Sequence, residues 1–137
     1  MKSLARLVAD LRKIMTIKDV ARYVGVSDTM IRGIVKKYLC RRFGKPRLRH
    51  LEIIAIDEIY VGKKNKFVTI VIDWLTGAIV FVGYGKGENA LKSFWKRLRG
   101  STAKIKAVAT DMSSAYYSAV LKNLPNAKHV FDRFHIV

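Results

Sequence analysis

The sequence predicts an α/β protein in which a mixed sheet with helices follows a separate helical module. Residues 1–39 repeat apolar side chains at the spacing of amphipathic helices, whereas residues 51–137 alternate short β-branched runs with helical stripes. The segment 40–50 is strongly basic, contains Gly and Pro and has no periodicity, so it is predicted to be a linker. Half of the residues are hydrophobic, and both parts are therefore expected to fold around cores.

The net charge of +17 is very high for a chain of 137 residues, and residues 1–50 contribute +11 of it. Such a charge predicts a polyanionic partner, most often nucleic acid; the alternative is a basic protein without one. A membrane-surface role is not favoured, because the basic residues follow no single long amphipathic helix. No apolar run is long enough to span a membrane, the first residues are too charged for a signal peptide, and Cys40 is the only cysteine. We therefore expect a cytoplasmic, nucleoid-associated protein.

The amino-terminal module contains three helical stripes, in each of which apolar residues recur at i, i+3, i+4 and i+7 or close to it. The stripes are Leu4, Leu7, Val8, Leu11 and Met15; Ile17, Val20, Ala21 and Val24; and Ile31, Ile34, Val35 and Tyr38. Gly25 and Ser27 stand between the second and third, where a helix would end and the next would be capped. A helix, a short turn and a second helix predict a helix-turn-helix module that binds DNA.

The other face of the third predicted helix carries the candidate DNA contacts. Thr29, Arg32 and Lys36 could reach base edges and phosphates in a major groove. Three further cations would contact the DNA backbone: Lys37, Arg41 and Arg42. The alternative is an ordinary three-helix packing unit with a solvated basic face.

The second module reads as five strands and two helices in the order βββαβαβ. The strands are predicted at 51–61, 67–73, 78–83, 104–110 and 127–131, and the helices at 88–99 and 113–121. Short connections between the first three strands predict an antiparallel meander. The later strands follow helices, as in right-handed crossover units that place parallel strands side by side.

Two acids end apolar strands, Asp57 in the first and Asp111 after the fourth. If these strands are parallel neighbours, both acids lie at the same edge of the sheet. Side chains alternate along a strand, so Glu58 would point the other way and Asp57 is favoured. Two adjacent carboxylates require a dication, and hard oxygen ligands favour Mg²⁺ or Mn²⁺ over zinc. The alternative for Asp111 is helix capping alone, and Asp73, beside a turn, is predicted to be structural.

Several blocks of the sequence resemble the catalytic domain of bacterial insertion-sequence transposases of the DDE type. The blocks are residues 54–77, 107–120 and 124–137, and they are similar to the group whose domain opens with an IDE strand and passes through DRFH. Residues 17–38 resemble that family's DNA-binding segment. The resemblance implies a ribonuclease-H-like fold, Mg²⁺-dependent cleavage of double-stranded DNA at transposon ends and strand transfer by a 3′ hydroxyl. It also implies a homo-oligomer for the full-length protein, and it assigns the first two catalytic acids to Asp57 and Asp111.

The sequence departs from the family's pattern in two ways. The family's third acid, a Glu on a later helix, has no counterpart before Val137, and one cysteine cannot supply the cysteine-rich zinc-binding segment of family members. We therefore expect a truncated member with an incomplete sheet domain that is inactive or nearly so alone. Asp132, Arg133 and His135 match the DRFH block and would line the DNA side of the site, or else have a structural role at the strand end.

Two other interpretations stay open. One is a DNA-binding remnant or repressor of the parent element that has no catalytic activity. The other is a ribonuclease-H-like nuclease or resolvase unrelated to transposition, which would share the carboxylates but would not require the helix-turn-helix.

Overall fold

The computed structural model describes residues 2–62 and 66–131. The chain divides into two compact units, Met1–Lys45 and Pro46–Val137. Its helices and strands follow the predicted order, with differences of a few residues at their ends. None of the helices in the described part of the chain is long and apolar enough to cross a membrane.

The first unit consists of three helices around a small apolar core. They are α1 (Lys2–Leu11), α2 (Ile17–Val24) and α3 (Asp28–Phe43). The side chains of Val8, Val20, Ala21 and Ile31 form the core, which is completed by partly buried residues of the same stripes. Because these residues come from all three stripes, the periodicity in the sequence accounts for the packing.

The turn between α2 and α3 has the local chemistry that the sequence predicts. Gly25 adopts a left-handed conformation with φ of 77°, and its N–H donates to the carbonyl of Ala21 at 2.9 Å. Ser27 caps α3 by accepting a hydrogen bond from the N–H of Met30 at 3.3 Å. A left-handed glycine followed by a serine cap ends one helix and starts the next within three residues.

The segment 40–50 is not a linker along its whole length. Residues 40–43 form the last turn of α3, because no helix breaker precedes Gly44. Further on, the carbonyl of Pro46 accepts a hydrogen bond from Arg97 at 2.9 Å, and the Leu48 side chain is buried in the core of the second unit. An apolar side chain that reaches a core gains more by burial than by solvation in a linker.

The second unit is built on a five-stranded mixed sheet. The strands are β1 (Ile53–Tyr60), β2 (Phe67–Asp73), β3 (Ile79–Tyr84), β4 (Ala107–Thr110) and β5 (Lys128–Phe131). Their order across the sheet is β3-β2-β1-β4-β5. The first three strands are antiparallel, whereas β4 pairs parallel with both β1 and β5. The predicted α/β class with a mixed sheet is confirmed.

Helices α4 (Gly87–Arg99) and α5 (Ser114–Asn123) cover one face of the sheet. Their buried side chains form one core with every second residue of the strands, such as Ile54 and Ile56 of β1. The largest fully buried side chains of these helices are Phe94 and Tyr116. Both crossover helices therefore lie on the same side, as right-handed connections in one direction along a sheet require.

Gly83 allows α4 to approach the sheet closely. A side-chain carbon on this residue would clash with the backbone carbonyl of Ala90 in α4 and crowd the ring of Phe81. The close approach lets Leu91 and Phe94 reach the core. The φ of Gly83 is not in the left-handed region, so its backbone conformation does not require glycine. The lack of space for a side chain does.

Candidate metal site and nucleic-acid interface

Asp57 and Asp111 occupy equivalent positions at one edge of the sheet. The parallel ladder between β1 and β4 ends at the pair Ile56 and Thr110. One residue further in the same register are Asp57 and Asp111. Adjacent strands lie about 4.8 Å apart, so residues one step beyond the ladder are neighbours. Asp57 lies within β1, which continues to Tyr60, whereas Asp111 follows the end of β4. The parallel pairing on which the sequence-based site depends is therefore present.

The two members of the adjacent pair Asp57 and Glu58 point to opposite faces of the sheet. Glu58 points to the helix-covered face, where it contacts Tyr116 of α5. Asp57 is exposed and shares the other face with Ala55. In the β4 register Ala109 lies opposite Ala55, so small side chains precede both acids on that face. On the other side of Asp57, its cross-strand partner Ile70 of β2 shares the same face.

Each carboxylate makes one local hydrogen bond and keeps further acceptor capacity. Asp57 Oδ1 accepts from the N–H of Glu58 at 2.7 Å, and Asp111 Oδ1 accepts from the N–H of Ser113 at 3.1 Å. Ser113 is the N-cap of α5 but makes no side-chain capping bond. One oxygen of Asp111 therefore supports the start of α5, as the capping alternative proposes, while its other oxygen accepts no hydrogen bond from the residues that the structure describes.

The electrostatic setting of the two acids fits a cation. The chain contains 27 Lys and Arg but only 10 Asp and Glu, yet neither Asp57 nor Asp111 forms an ion pair with another described residue. Adjacent carboxylates are stabilised by a dication, and these hard oxygen donors suit Mg²⁺ or Mn²⁺. Within residues 2–62 and 66–131, no group of three or more His, Cys, Asp or Glu comes together. The described donor set thus fits such an ion but supplies only two protein ligands.

Asp73, which the sequence predicts to be structural, organises a turn. Its side chain is buried and accepts hydrogen bonds from the N–H of Leu75 at 3.2 Å and the hydroxyl of Thr76 at 2.6 Å. The ring of His50 lies 3.9 Å away. A buried carboxylate satisfied by a turn in this way is a local structural element.

Tyr116 is a buried polar residue that sequence analysis missed. Its hydroxyl donates to Glu58 Oε1 at 2.5 Å, accepts from the N–H of Gly87 at 3.1 Å and lies 3.0 Å from the hydroxyl of Thr69. Burial, with the hydrogen bond to the Glu58 carboxylate, raises the pKa of Tyr116 to about 12, so the hydroxyl keeps its proton as a donor. Its helical stripe with Ala119 and Val120 signals burial, and a buried tyrosine needs a partner for its hydroxyl.

His129 also has an ordered environment near the site. Its Nε2 lies 2.7 Å from the hydroxyl of Thr110, and its ring stacks on Tyr117 with centroids 5.2 Å apart. Because Thr110 donates to the carbonyl of Asp111, its oxygen accepts from Nε2–H of the ring. Burial lowers the pKa of His129, which favours this neutral form.

The side of α3 that faces away from the core carries three of the predicted DNA contacts. Thr29, Arg32 and Lys36 are all exposed and lie at i, i+3 and i+7, opposite the buried Ile31. None of them forms an ion pair within the described residues. These side chains form one continuous polar and basic stripe.

The other three predicted contacts of α3 lie beside α1. Lys37 and Arg41 border a groove whose floor includes Leu4 and Ala5. Arg42 lies on the far side of the helix from Thr29, where it donates to the hydroxyl of Tyr38 at 3.2 Å. All three are exposed, but they do not share the stripe of Arg32 and Lys36. Residues four apart share a face, whereas Arg42 is displaced from Lys36 by six positions.

The predicted contacts Arg133 and His135, together with Asp132, lie outside the residues that the structure describes. Their roles stay predictions from the resemblance.

Comparisons with known proteins are consistent with the resemblance. The chain is 28% identical over 135 residues to the transposase for insertion sequence element IS1001 of Bordetella parapertussis, covering 98% of this chain and 33% of the relative. It is 29% identical over 92 residues to the transposase for IS1557 of Mycobacterium tuberculosis, covering 66% of this chain and 21% of that protein. The chain thus spans about a third or less of these relatives.

A solved structure of a simian T-cell lymphotropic virus intasome in complex with PP2A regulatory subunit B56 gamma is also similar. It matches with a TM-score of 0.45 and 16% identity, covering 91% of this chain and 51% of that chain. The family model DDE_Tnp_ISL3, described as a transposase, matches residues 54–137. That match extends from β1 through both candidate acids, and it shows that the chain belongs to the DDE_Tnp_ISL3 family of transposases.

Proposed function

We propose that this chain carries the first two metal-binding acids of a transposase, together with a helix that binds the DNA to be cut. Asp57 and Asp111 hold Mg²⁺ or Mn²⁺, and the reaction is phosphodiester cleavage at transposon ends followed by strand transfer. The observation that carries the proposal is a pair of carboxylates, neither in an ion pair with another described residue, that lie one residue beyond the last pair of the parallel β1–β4 ladder. Family membership supports the same reaction class.

The protein contributes to the proposed reaction by holding the two carboxylates in place. Pairing with β2 holds Asp57 within β1, and the hydrogen bond from Ser113 holds one oxygen of Asp111, which follows the end of β4. A divalent ion, when bound, supplies positive charge that stabilises the attacking and leaving oxygens of the phosphodiester. Rigid strand ends suit this task because a catalytic constellation must be held within a fraction of an ångström.

DNA binding is proposed for the first unit. Arg32 and Lys36 lie on the exposed side of α3 and, with Thr29, could enter a major groove. Lys37, Arg41 and Arg42 lie closer to α1 and would contact phosphates, which requires charge but little geometric precision. Assembly of the full-length protein into a homo-oligomer stays part of this proposal.

A Mn²⁺ titration followed by electron paramagnetic resonance tests the metal site. Asp57→Asn and Asp111→Asn should each weaken Mn²⁺ binding by at least about ten-fold, because each removes one of two charged ligands. Glu88→Gln is the matched control, since Glu88 is an acid of the same unit that pairs with Lys122 at 3.3 Å. Equal Mn²⁺ affinity in all three variants would show that the two strand-end acids do not form the site.

A second candidate function is DNA binding without catalysis, and the net charge of +17 favours it. The same titration separates the two functions. A chain that binds duplex DNA in a salt-dependent manner but shows no Mn²⁺ binding sensitive to Asp57→Asn would fit the second function and exclude the first.

A further inference from the structure

The hydroxyl of Tyr116 joins four elements of the second unit. Tyr116 belongs to α5, and its hydroxyl contacts Glu58 of β1, Thr69 of β2 and the N–H of Gly87 at the start of α4. Thr69 in turn donates to the carbonyl of Gly85 at 3.0 Å. Tyr116 and Thr69 are both fully buried. We call these residues, Glu58, Thr69, Gly87 and Tyr116, the Tyr116 network.

We propose that the Tyr116 network positions Asp57 relative to Asp111, with Tyr116 and Glu58 as positioning residues for the metal site. This inference rests on the proposed function, because it concerns the geometry of the same two acids. The network adds a contact between the chain segments that carry them, at the place where the sheet pairing stops.

The pairing of β1 with β4 ends one residue before the acids. Ile56 and Thr110 are the last paired residues, and β4 itself ends at Thr110. Asp57 is still held on its other side, by pairing with Ile70 of β2. Asp111 has no such ladder, so its position relative to Asp57 depends on contacts beyond the strand.

A continuous path of contacts supplies this constraint. Asp111 is followed within two residues by Ser113, the N-cap of α5, and Tyr116 lies in the first turn of that helix. Tyr116 then donates to Glu58, the residue directly after Asp57. A charge-assisted hydrogen bond is directional, so it holds the start of α5 against β1 beside Asp57.

The surroundings of Glu58 keep its carboxylate aimed at Tyr116. The Glu58 side chain is 21% exposed, and its second oxygen lies 3.9 Å from Lys86. The Lys86 ammonium sits 3.6 Å from the centre of the Phe67 ring, a cation–π contact that restrains it. Both oxygens of Glu58 are therefore engaged on the helix-covered side, which leaves Asp57 alone to face a metal ion.

Disulfide formation between the two acid positions tests this inference without any metal. Asp57→Cys and Asp111→Cys are combined with Cys40→Ser, which removes the chain's own thiol. Neighbouring residues on adjacent strands meet the Cα separation that a disulfide requires. The rate of cross-linking in a glutathione redox buffer then reports how often the two positions are correctly placed.

Adding Glu58→Ala or Tyr116→Phe should slow cross-linking by at least about five-fold, since small misplacements have large effects on proximity-driven steps. Glu58→Gln should restore most of the rate, because the amide oxygen still accepts from Tyr116. Tyr117→Phe removes the hydroxyl of the neighbouring, half-exposed tyrosine and should leave the rate unchanged. Unchanged rates in Glu58→Ala and Tyr116→Phe would overturn the inference.

A stability control separates positioning from mere folding. Val120→Ala opens a gap in the same core cluster as Tyr116 but removes none of the hydrogen-bonding groups of the Tyr116 network. Equal slowing by Val120→Ala would attribute the effect to lost stability and overturn the inference. Suppose that the cross-linking rate depends on the Tyr116 network, but the chain with both acids binds no Mn²⁺. The positioning role would then be supported and the proposed metal function refuted. The inference and the proposed function can therefore fail separately.

Discussion

Replacing Gly83 with alanine should destabilise the second unit by about 3 kcal/mol, a shift of about two orders of magnitude in its folding equilibrium. The added methyl group would clash with the carbonyl of Ala90, which is backbone and cannot rotate away. Strand β3 and helix α4 must therefore separate, and Leu91 and Phe94 lose part of their packing. Urea denaturation followed by tryptophan fluorescence measures the effect, because both tryptophans, Trp74 and Trp95, lie in the second unit.

The same substitution at Gly33 provides the control. Gly33 lies within α3 and a side-chain carbon there would meet nothing within 4 Å. Gly33→Ala should stabilise the first unit by about 0.5–1 kcal/mol, since alanine favours helix and restricts the unfolded chain. The tryptophan transition should not move, while the helical circular-dichroism signal should persist to higher urea. An equal tryptophan midpoint for Gly83→Ala and the unaltered chain would refute the close-packing argument.

The second large effect concerns DNA. Combining Arg32→Ala with Lys36→Ala should weaken binding to a duplex by roughly ten- to a hundred-fold, as expected when one base contact and one phosphate contact are lost. Both residues lie on the exposed stripe of α3. The slope of log K against log salt should become shallower by about 0.9 for each lost phosphate contact. Fluorescence anisotropy over a series of salt concentrations measures affinity and slope together.

A charge-matched variant distinguishes location from total charge. Lys92→Ala with Lys96→Ala also removes two exposed cations four residues apart, but from α4 in the second unit. If α3 is the DNA-binding helix, this variant should lose much less affinity than the α3 variant. Equal losses would show that binding follows net charge alone, and the proposed role of α3 would then be wrong.

The strands and helices could be predicted because the signals are local. Strand β2 coincides with its predicted range, because β-branched residues favour strands. Five of them follow one another here: Val68, Thr69, Ile70, Val71 and Ile72. Strand β4 begins at Ala107 and is therefore shorter than the predicted strand, which began at Lys104. The backbone N–H of Lys106 still donates to the backbone carbonyl of Glu52 at 2.7 Å. Apolar pattern alone does not define where pairing begins.

The site could be predicted only in part. The sequence placed Asp57 and Asp111 at strand ends, but their proximity depended on a pairing between residues more than fifty positions apart. The contact between Glu58 and Tyr116 could not be predicted, because it depends on how α5 lies over the sheet. The place of Arg42 around α3, beside Tyr38, likewise comes from the structure alone, and its contact with the DNA backbone stays a prediction.

The parallel register of β1 and β4 has a consequence for how this segment tolerates insertions. Extra residues in the approach to β4 at residues 101–104 lengthen a connection whose closure entropy grows slowly. One extra residue inside Ala107–Thr110 would instead turn Asp111 to the opposite face of the sheet, because side-chain direction alternates along the strand. Natural insertions and deletions in such domains should therefore occur in the connections and not within the segment Ala107–Thr110.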